Sequence, residues 1–304
     1  MVSTAATIGA AAPLQRPRAV VKRVQARPQL EGDGAVVRRS IGRWAELRSL
    51  DPFLLLDDFT VSAPAGFPDH PHRGFETVTY MLEGAITHQD FAGNKGTIRA
   101  GDIQWMTAGR GIVHSEMPAG AGVSRGLQLW VNLSSKDKMT KPRYQELQGK
   151  DIPQVEKKGV LVRIIAGKAL GVCLPVFTQT PTMYLDFTLM AGATLHQPVP
   201  TGWNVFVFVV DGEGVFGDRS HTATAHDMLV LGPSDGVSMS CSGPSVAAGD
   251  QLRFVLVTGE PLSEPVVKRG LFVMNTWEEI EEAMKEYRLC RNGFEMARLW
   301  RTAR

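Results

Sequence analysis

Two short segments of the chain carry potential metal ligands at alternate positions. His70 and His72 are two residues apart, and His114 and Glu116 have the same spacing. In an extended strand, residues i and i+2 point to the same face of the sheet. If both segments line one interior, three imidazole groups and one carboxylate converge there. The spacing therefore predicts a site for a single metal ion.

The predicted donor set defines the chemistry that such a site could perform. Three nitrogen atoms and one oxygen atom suit a borderline transition metal, and they leave one or two positions open on an octahedral ion. An open position is what the activation of oxygen or of a substrate requires. Iron, manganese, nickel and copper all accept these ligands, so the residues alone do not select the metal.

The carboxylate ligand could come from one of two positions. Glu76 lies four residues after His72, a spacing that some metal-binding barrels use, whereas Glu116 shares a strand face with His114. We favour Glu116 because its geometry is simpler, and Glu76 remains the alternative. His88 falls on the next predicted strand, where we expect a surface position in preference to a place beside the metal.

An internal repeat places the candidate ligands in only one half of the chain. Three blocks of the first half align with three blocks of the second half: 73–84 with 201–212, 100–103 with 225–228, and 127–131 with 252–256. The four candidate ligands align, in chain order, with residues of other types: Pro198, Pro200, Met239 and Cys241. A duplicated β-domain in which one copy binds metal and the other has lost its site would give this pattern. We therefore predict one metal ion per chain.

The elements that would position these residues are β-strands. Apolar and polar side chains alternate along residues 127–133 and 160–164, which is the period of a strand with one buried face. One helix is predicted: Thr276 and Glu279 form a capping box at its start, and it ends before Asn292. Many strands and few helices predict an all-β protein built from barrels or sandwiches.

The composition fits two domains of ordinary size and excludes several classes of protein. Of the 304 residues, 43% are hydrophobic and 21% are charged, which is enough to build buried cores. A net charge of +2 is too small to attract nucleic acid by its field alone. No apolar run reaches the roughly 18 residues of a membrane-spanning helix. Three scattered cysteines support neither a disulfide framework nor a zinc motif, and they favour a reducing compartment.

Three parts are predicted along the chain. Residues 1–34 form a flexible tail or targeting segment, 35–150 a metal-binding barrel, and 151–304 a metal-free barrel followed by the helix. The first 30 residues contain five basic side chains and no acidic one. This composition resembles that of an organelle transit peptide, so residues 1–33 could direct the protein to an organelle.

The sequence around the candidate ligands resembles the pirin family. Residues 70–80 and 101–114 are similar to the two cupin motifs of pirins, and residues 272–276 and 292–295 are also pirin-like. The resemblance runs from about residue 35 to the end of the chain. It implies a bicupin fold, in which two tandem cupin-type antiparallel β-barrels are followed by a short C-terminal helix. It also implies that the first barrel holds iron, as Fe²⁺ or Fe³⁺, and that the second barrel holds none.

The resemblance implies two alternative functions for the metal site. The residues that match the family's iron ligands are His70, His72, His114 and Glu116. As an oxidoreductase, the protein would be a quercetin 2,3-dioxygenase that uses dioxygen to cleave a flavonol, a small aromatic phenol. As a transcription cofactor, it would bind a nuclear transcription regulator in a manner that depends on iron and its redox state, without touching nucleic acid. The basic segment 136–143 could form part of that surface. We expect the protein to be a monomer in the cytoplasm and nucleus.

Overall fold

The structure is a computed structural model, and it describes most of the chain. The described residues are 16–174, 177–219, 221–243, 245–247 and 249–300. Most of them lie in antiparallel β-strands. Among them, no helix is both long enough and apolar enough to span a membrane.

The strands fall into two compact units that are described separately. In chain order the strands are β1 (Val20–Gln25), β2 (Pro28–Glu31), β3 (Ala35–Ile41), β4 (Phe53–Val61), β5 (Phe67–His72), β6 (Phe75–Glu83), β7 (Ala85–Asp90), β8 (Lys95–Arg99), β9 (Ile103–Thr107), β10 (Ile112–Pro118), β11 (Ser124–Asn132), β12 (Arg143–Leu147), β13 (Gln154–Lys157), β14 (Val160–Ala169), β15 (Val172–Leu174), β16 (Thr182–Met190), β17 (Thr194–Pro198), β18 (Asn204–Asp211), β19 (Glu213–Phe216), β20 (His221–Thr224), β21 (Asp227–Leu231), β22 (Gly236–Ser240), β23 (Gln251–Gly259), β24 (Val267–Arg269) and β25 (Phe272–Met274). The helix α1 (Trp277–Arg288) follows the last strand, and short 3-10 turns occupy Gly149–Asp151 and Glu295–Arg298.

The first barrel is the unit formed by three stretches of the described chain, 24–152, 177–181 and 259–300. Its larger sheet has the strand order β12-β9-β6-β11-β4-β3-β2, and its smaller sheet has the order β5-β10-β7-β8. Side chains from both sheets share one apolar cluster, in which Val37, Phe59 and Met81 of the larger sheet meet Ile86 and Ile98 of the smaller sheet. The candidate ligands lie on β5 and β10, which are neighbours in the smaller sheet.

The second barrel is the unit formed by three other stretches, 16–23, 153–174 and 182–258. Its larger sheet has the order β1-β21-β18-β23-β16-β14-β13, with β15 paired to β14, and its smaller sheet has the order β17-β22-β19-β20. Leu185 and Phe254 of the larger sheet share its apolar core with Leu195 and Phe216 of the smaller sheet.

The two barrels repeat the same strand order. Strands β6, β9, β11 and β4 of the first barrel correspond to β18, β21, β23 and β16 of the second, and the smaller sheets match in the same way. The acid-Gly turns at Gly84 and Gly212 both have positive φ angles, 68° and 80°, which glycine adopts readily. An ion pair of 2.8 Å between neighbouring strands also recurs, as Asp58–Arg125 and Asp186–Arg253. The predicted all-β fold with two cupin-type barrels and a C-terminal helix is confirmed.

The structure corrects the predicted N-terminal tail. Residues 20–31 contain strands β1 and β2, which form edges of the larger sheets of the second and the first barrel, respectively. Arg18 is 1% exposed, and its guanidinium donates to the carbonyl oxygens of Pro200 and Gly232 at 3.1 and 2.9 Å. Strand β1 was not predicted because the segment is rich in basic residues and because its partner strand, β21, lies far along the chain. Residues 1–15 lie outside the described residues, so their predicted targeting role stays a prediction.

The C-terminal helix is grouped with the first barrel, whereas we predicted it as part of the domain that ends the chain. The predicted capping box is present, because Thr276 Oγ1 accepts from the Glu279 N–H at 3.2 Å and Glu279 Oε2 accepts from the Thr276 N–H at 3.1 Å. Ile280 and Ala283 on its buried side join the apolar cluster that contains side chains of β9 and β10. Order along the chain suggested the second barrel, but apolar packing decides where a helix docks.

Lys138 is buried in the first barrel, and its burial corrects the prediction that residues 136–143 form a basic surface. Lys138 is 1% exposed, and its ammonium donates to the carbonyl oxygens of Gly74 and Val273 at 3.0 and 3.2 Å. It also donates to Asn132 Oδ1 at 2.7 Å. Burial lowers the pKa of Lys138 from 10.5 to about 8.

The stability of the protein is expected to rise with pH because of Lys138. The unfolded chain keeps the ordinary lysine pKa of 10.5, so between pH 8 and 10.5 it binds a proton that the folded protein has lost. From pH 7.5 to 9.5, the free energy of unfolding should therefore gain about 2 kcal/mol in the wild type relative to Lys138→Met. Urea unfolding at the two pH values measures this difference. Lys285→Met removes an exposed lysine and should keep the wild-type dependence; identical dependence in Lys138→Met would contradict the prediction.

Candidate metal centre

Three of the four predicted ligands converge in the smaller sheet of the first barrel. Strands β5 and β10 pair antiparallel, which places His114 opposite His70 and Ile112 opposite His72. The ring centres are 4.4 Å apart for His70 and His114, 4.7 Å for His70 and His72, and 5.0 Å for His72 and His114. One nitrogen of each ring lies within 4.8 Å of the other two, so the group could hold a metal ion.

The hydrogen bonding of these rings fits metal ligation. His72 and His114 are 2% and 1% exposed, yet Nδ1 of His72 and both ring nitrogens of His114 have no hydrogen-bond partner. A buried polar atom without a partner costs about 1–3 kcal/mol, and a bond to a metal would offset that cost. His70 Nδ1 donates to the carbonyl oxygen of Pro68 at 2.7 Å. That bond fixes the tautomer of His70 and leaves the lone pair of Nε2 for a metal.

The rings of His72 and His114 are also held in the neutral form. Burial lowers the pKa of His72 well below its usual value, and the neighbouring His70 lowers it further. Burial is also the main cause that lowers the pKa of His114, followed by His70, His72 and His88. A neutral imidazole is the form that binds a metal ion.

Glu116 follows His114 on β10 but lies outside the group of three. It is 6% exposed and lines the same cavity as His70, and its Oε1 accepts a hydrogen bond from Thr79 Oγ1 at 3.1 Å. The register between β10 and β5 shifts between His114 and Glu116, so regular strand alternation does not fix the direction of this carboxylate. Glu116 as the fourth ligand therefore stays a prediction.

Glu76, the alternative carboxylate, is held in a separate cluster. It lies on β6 opposite Thr107, whose Oγ1 donates to Glu76 Oε1 at 2.7 Å. Arg143 Nε donates to the same Thr107 oxygen at 3.3 Å. Burial raises the pKa of Glu76, and the bond from Thr107 acts in the opposite direction. Glu116 lines the cavity together with His70 and His72, whereas Glu76 does not, and Glu76 stays the alternative carboxylate.

His88 is buried close to the predicted ligands, so its expected surface position is wrong. It is 2% exposed, its Nε2 lies 2.7 Å from Glu146 Oε1, and its ring stacks on Tyr144 with the centres 5.9 Å apart. On β7 it lies opposite Glu116 of β10. The alternation of β7 contained the signal, because His88 shares a strand face with the buried Ile86.

A cavity of about 990 Å³ is lined by His70 and His72. The buried Glu116 also lines it, and apolar side chains such as Leu54 and Leu55 form part of its walls. The ring of Trp130 also lines it and meets the ring of His72 edge-on, with centres 5.4 Å apart. The volume is at the upper end of the range for small-molecule sites, so an aromatic ligand of several rings would fit.

Sequence reasoning missed two residues of this cavity, Trp130 and Lys268. The ammonium of Lys268 lies 4.7 Å from the centre of the Trp130 ring and 3.3 Å from the carbonyl oxygen of Leu54. Trp130 occurs in a regularly alternating strand, where a tryptophan indicates core packing before it indicates a binding wall. Nothing in the sequence near Lys268 indicates chemistry, because β24 joins the cavity only through the tertiary fold.

Arg73, which directly follows His72 at the end of β5, binds this strand to the C-terminal helix. Arg73 is 1% exposed; its Nη1 donates to Glu286 Oε2 of α1 at 2.5 Å, and its Nη2 donates to the carbonyl oxygen of Asn292 at 2.6 Å. The guanidinium also lies 4.7 Å from the centre of the Phe294 ring. The helix therefore fixes the backbone directly next to a candidate metal ligand.

The described residues of the second barrel contain no comparable group. In the part of the chain that the structure describes, the three histidines are the one cluster of His, Cys, Asp and Glu with metal-ligating spacing. Met239 and Cys241, which align with His114 and Glu116, are 1% and 0% exposed in the apolar core of the second barrel. One metal ion per chain therefore stays a prediction.

Two barrels of the same strand order, with a three-histidine group in the first barrel, define the class: this is a two-domain cupin with a candidate metal site. The Pirin family model matches residues 34–131, and the model of the Pirin C-terminal cupin domain matches residues 184–293. The chain belongs to the pirin family.

Relatives of known name agree with this assignment. The chain is 65% identical to a pirin-like protein of Solanum lycopersicum over 94% of this chain and 96% of that one. It is 51% identical to Pirin of Homo sapiens over 92% of this chain and 95% of that one. A crystal structure of quercetin 2,3-dioxygenase from Acinetobacter baumannii is 34% identical, with a TM-score of 0.81, and covers 91% of this chain and 99% of that chain.

Proposed function

We propose that the protein is a quercetin 2,3-dioxygenase that holds one iron ion on His70, His72, His114 and Glu116. The observation that carries this proposal is the convergence of three histidines, with unpartnered nitrogens on His72 and His114, beside a large cavity that His70 and His72 line. The 34% identity to the quercetin 2,3-dioxygenase of Acinetobacter baumannii supports a flavonol as the substrate and dioxygen as the second reactant.

The residues around the site have separate tasks in this reaction. Bound iron would supply Lewis acidity and one-electron redox chemistry. Trp130, Leu54 and Leu55 would bind the flavonol rings and exclude water, which strengthens every electrostatic interaction inside the site. Thr79 holds Glu116 Oε1, so Oε2 would serve as the ligand atom or accept the proton of the flavonol hydroxyl.

Two matched substitutions test the activity and the carboxylate together. Iron-loaded wild-type protein is expected to take up oxygen when quercetin is added, as measured with an oxygen electrode. Glu116→Gln keeps the size of the side chain but removes its charge, so iron affinity should fall at least about tenfold and oxygen uptake should fall with it. Glu76→Gln, whose side chain can still accept from Thr107, should retain both properties.

Different parts of the proposal fail on different outcomes. Bound iron with no oxygen uptake on quercetin would contradict the dioxygenase activity. Loss of iron from Glu76→Gln but not from Glu116→Gln would reverse the assignment of the carboxylate. Protein depleted of iron by a chelator is the control for uptake that does not depend on the site.

The alternative function, an iron- and redox-dependent transcription cofactor in the nucleus, stays a prediction from the family resemblance. The basic segment expected to provide its docking surface does not form a continuous patch. Lys138 is buried, and the guanidinium carbon of Arg143 lies 4.2 Å from the centre of the Phe177 ring. The oxygenase is therefore the function that the site geometry supports better.

A further inference from the structure

One cation in the wall of the metal cavity has no role in the proposed reaction. Lys268 lies on β24, and its ammonium donates to the carbonyl oxygen of Leu54 at 3.3 Å and lies over the Trp130 ring. No carboxylate among the described residues forms an ion pair with Lys268. In the described part of the chain, the partners of this half-buried ammonium in the cavity wall are therefore a carbonyl and an aromatic ring.

The acids that act on Lys268 are already engaged by another cation. Arg39 donates to both carboxylate oxygens of Asp57, at 2.8 and 2.7 Å, and to Glu31 Oε2 at 2.8 Å. Burial is the main cause that lowers the pKa of Lys268 to about 8, and Arg39 lowers it further, while Asp57 and Glu31 act against them. A charge that is removed from water without a full partner is stabilised by an added opposite charge.

Trp130 connects Lys268 to the metal ligands. Its ring centre lies 5.4 Å from the ring centre of His72 and 4.7 Å from Nζ of Lys268. Leu54 and Leu271 line the same stretch of the cavity. A ligand that reaches from the histidines to Lys268 therefore lays an apolar or aromatic body along Trp130 and places its far end at the ammonium.

We propose that Lys268 selects substrates that carry an anionic group, such as a carboxylate, at the end remote from the hydroxyl that meets the metal site. This inference rests on the proposed function and narrows its substrate class to phenols and flavonols that bear an acid. A neutral phenol would fill the apolar stretch but would leave the ammonium without an opposite charge. A carboxylate would add a charge-assisted hydrogen bond, which is about twice as strong as a neutral one.

The charged residues at the rim of the cavity do not select between anionic and neutral ligands. Arg43, Arg48 and Arg269 line it together with Asp33 and Asp69, and all five residues are exposed. Exposed charges of both signs are screened by water and salt and discriminate little between ligands. Lys268 is less exposed than these groups, so its contact with a ligand is the one that separates anionic from neutral substrates.

A matched pair of ligands tests the inference by binding. 3-Hydroxyflavone and 3-hydroxyflavone-4′-carboxylate are titrated calorimetrically into iron-loaded protein. Wild-type protein should bind the carboxylate at least about tenfold more tightly, Lys268→Met should bring the ratio of the two affinities close to one, and Lys268→Arg should keep most of the preference. Lys285→Met removes the same charge from the exposed face of α1 and should keep the wild-type ratio.

A wild-type ratio near one, or a ratio that Lys268→Met leaves unchanged, would overturn the inference and leave Lys268 as a structural partner of Trp130. If Lys268→Met does not fold, as judged by iron content and Tm, the wild-type ratio and the Lys268→Arg ratio decide. Oxygen uptake with 3-hydroxyflavone reports on the proposed function separately. Oxygen uptake together with a ratio of affinities near one would contradict only the selection by charge. A ratio of affinities that depends on Lys268, without oxygen uptake, would support the selection and contradict the dioxygenase activity.

Discussion

Wild-type protein is expected to bind about one iron per chain, and the variant His72→Ala/His114→Ala is expected to retain no more than about a tenth of it. These two residues supply two of the three converging imidazoles, and both are almost completely buried. Without them, His70 and Glu116 cannot surround an ion. Oxygen uptake on quercetin should disappear together with the metal. Elemental analysis and the oxygen electrode, applied to one preparation, measure both effects.

The matched control removes two histidines from outside the site. His196 and His221 are exposed residues of the second barrel, and His196 Nδ1 forms a hydrogen bond with Ser238 Oγ at 2.8 Å. The variant His196→Ala/His221→Ala should keep both iron and oxygen uptake. If the two double variants contained equal amounts of iron, the metal would not be held by the group on β5 and β10.

The variant Glu286→Ala is expected to lower the free energy of unfolding by about 3–5 kcal/mol, because it leaves a buried guanidinium without its carboxylate. The side chains of Arg73 and Glu286 are 2% and 10% exposed, and they are joined by a hydrogen bond of 2.5 Å. Glu286 Oε1 also accepts from Asn292 Nδ2 at 2.8 Å, so Arg73 of the barrel and Asn292 of the C-terminal segment lose a partner together. Urea unfolding followed by tryptophan fluorescence measures the change.

A second carboxylate on the same helix provides the control. Glu282 is exposed and bonds to Arg291 at 2.9 Å and to Lys285 at 3.4 Å, so Glu282→Ala should change the free energy of unfolding by less than about 1 kcal/mol. Replacing both buried partners, as Arg73→Met with Glu286→Leu, should recover part of the lost stability because no unpaired charge remains. Similar losses in the free energy of unfolding in Glu282→Ala and Glu286→Ala would show that the buried pair contributes no more to stability than the exposed one.

The repeat and the strand pattern could be predicted because both can be read from short stretches of the sequence. The aligned turns at Gly84 and Gly212 share the backbone conformation that the alignment implied. The alternation along 127–133 became β11, and the capping box at Thr276 began α1 one residue later. Each of these features depends on neighbouring residues and on elementary steric preferences, which the sequence shows directly.

Most of the predictions that failed concern contacts between distant parts of the chain. The basic N-terminal segment contains β1, but its pairing with β21 has no local signature. His88 has a buried strand face that its neighbours indicated, although the cluster it joins with Glu146 did not follow from spacing. Lys138 looked like a solvated linker charge, and only the fold brings the carbonyl groups of Gly74 and Val273 to its ammonium.

The sequence by itself determined the types of the candidate metal donors, their i, i+2 spacing and their position in the first half of the chain. These follow from side-chain chemistry and from the period of a β-strand. Only the tertiary structure decided that β5 and β10 are neighbours, that Arg73 meets Glu286 across 213 positions, and that Lys268 meets Leu54 across 214 positions. Such contacts depend on strand register and on the burial of apolar surface over the whole domain, and no short stretch of sequence contains that information.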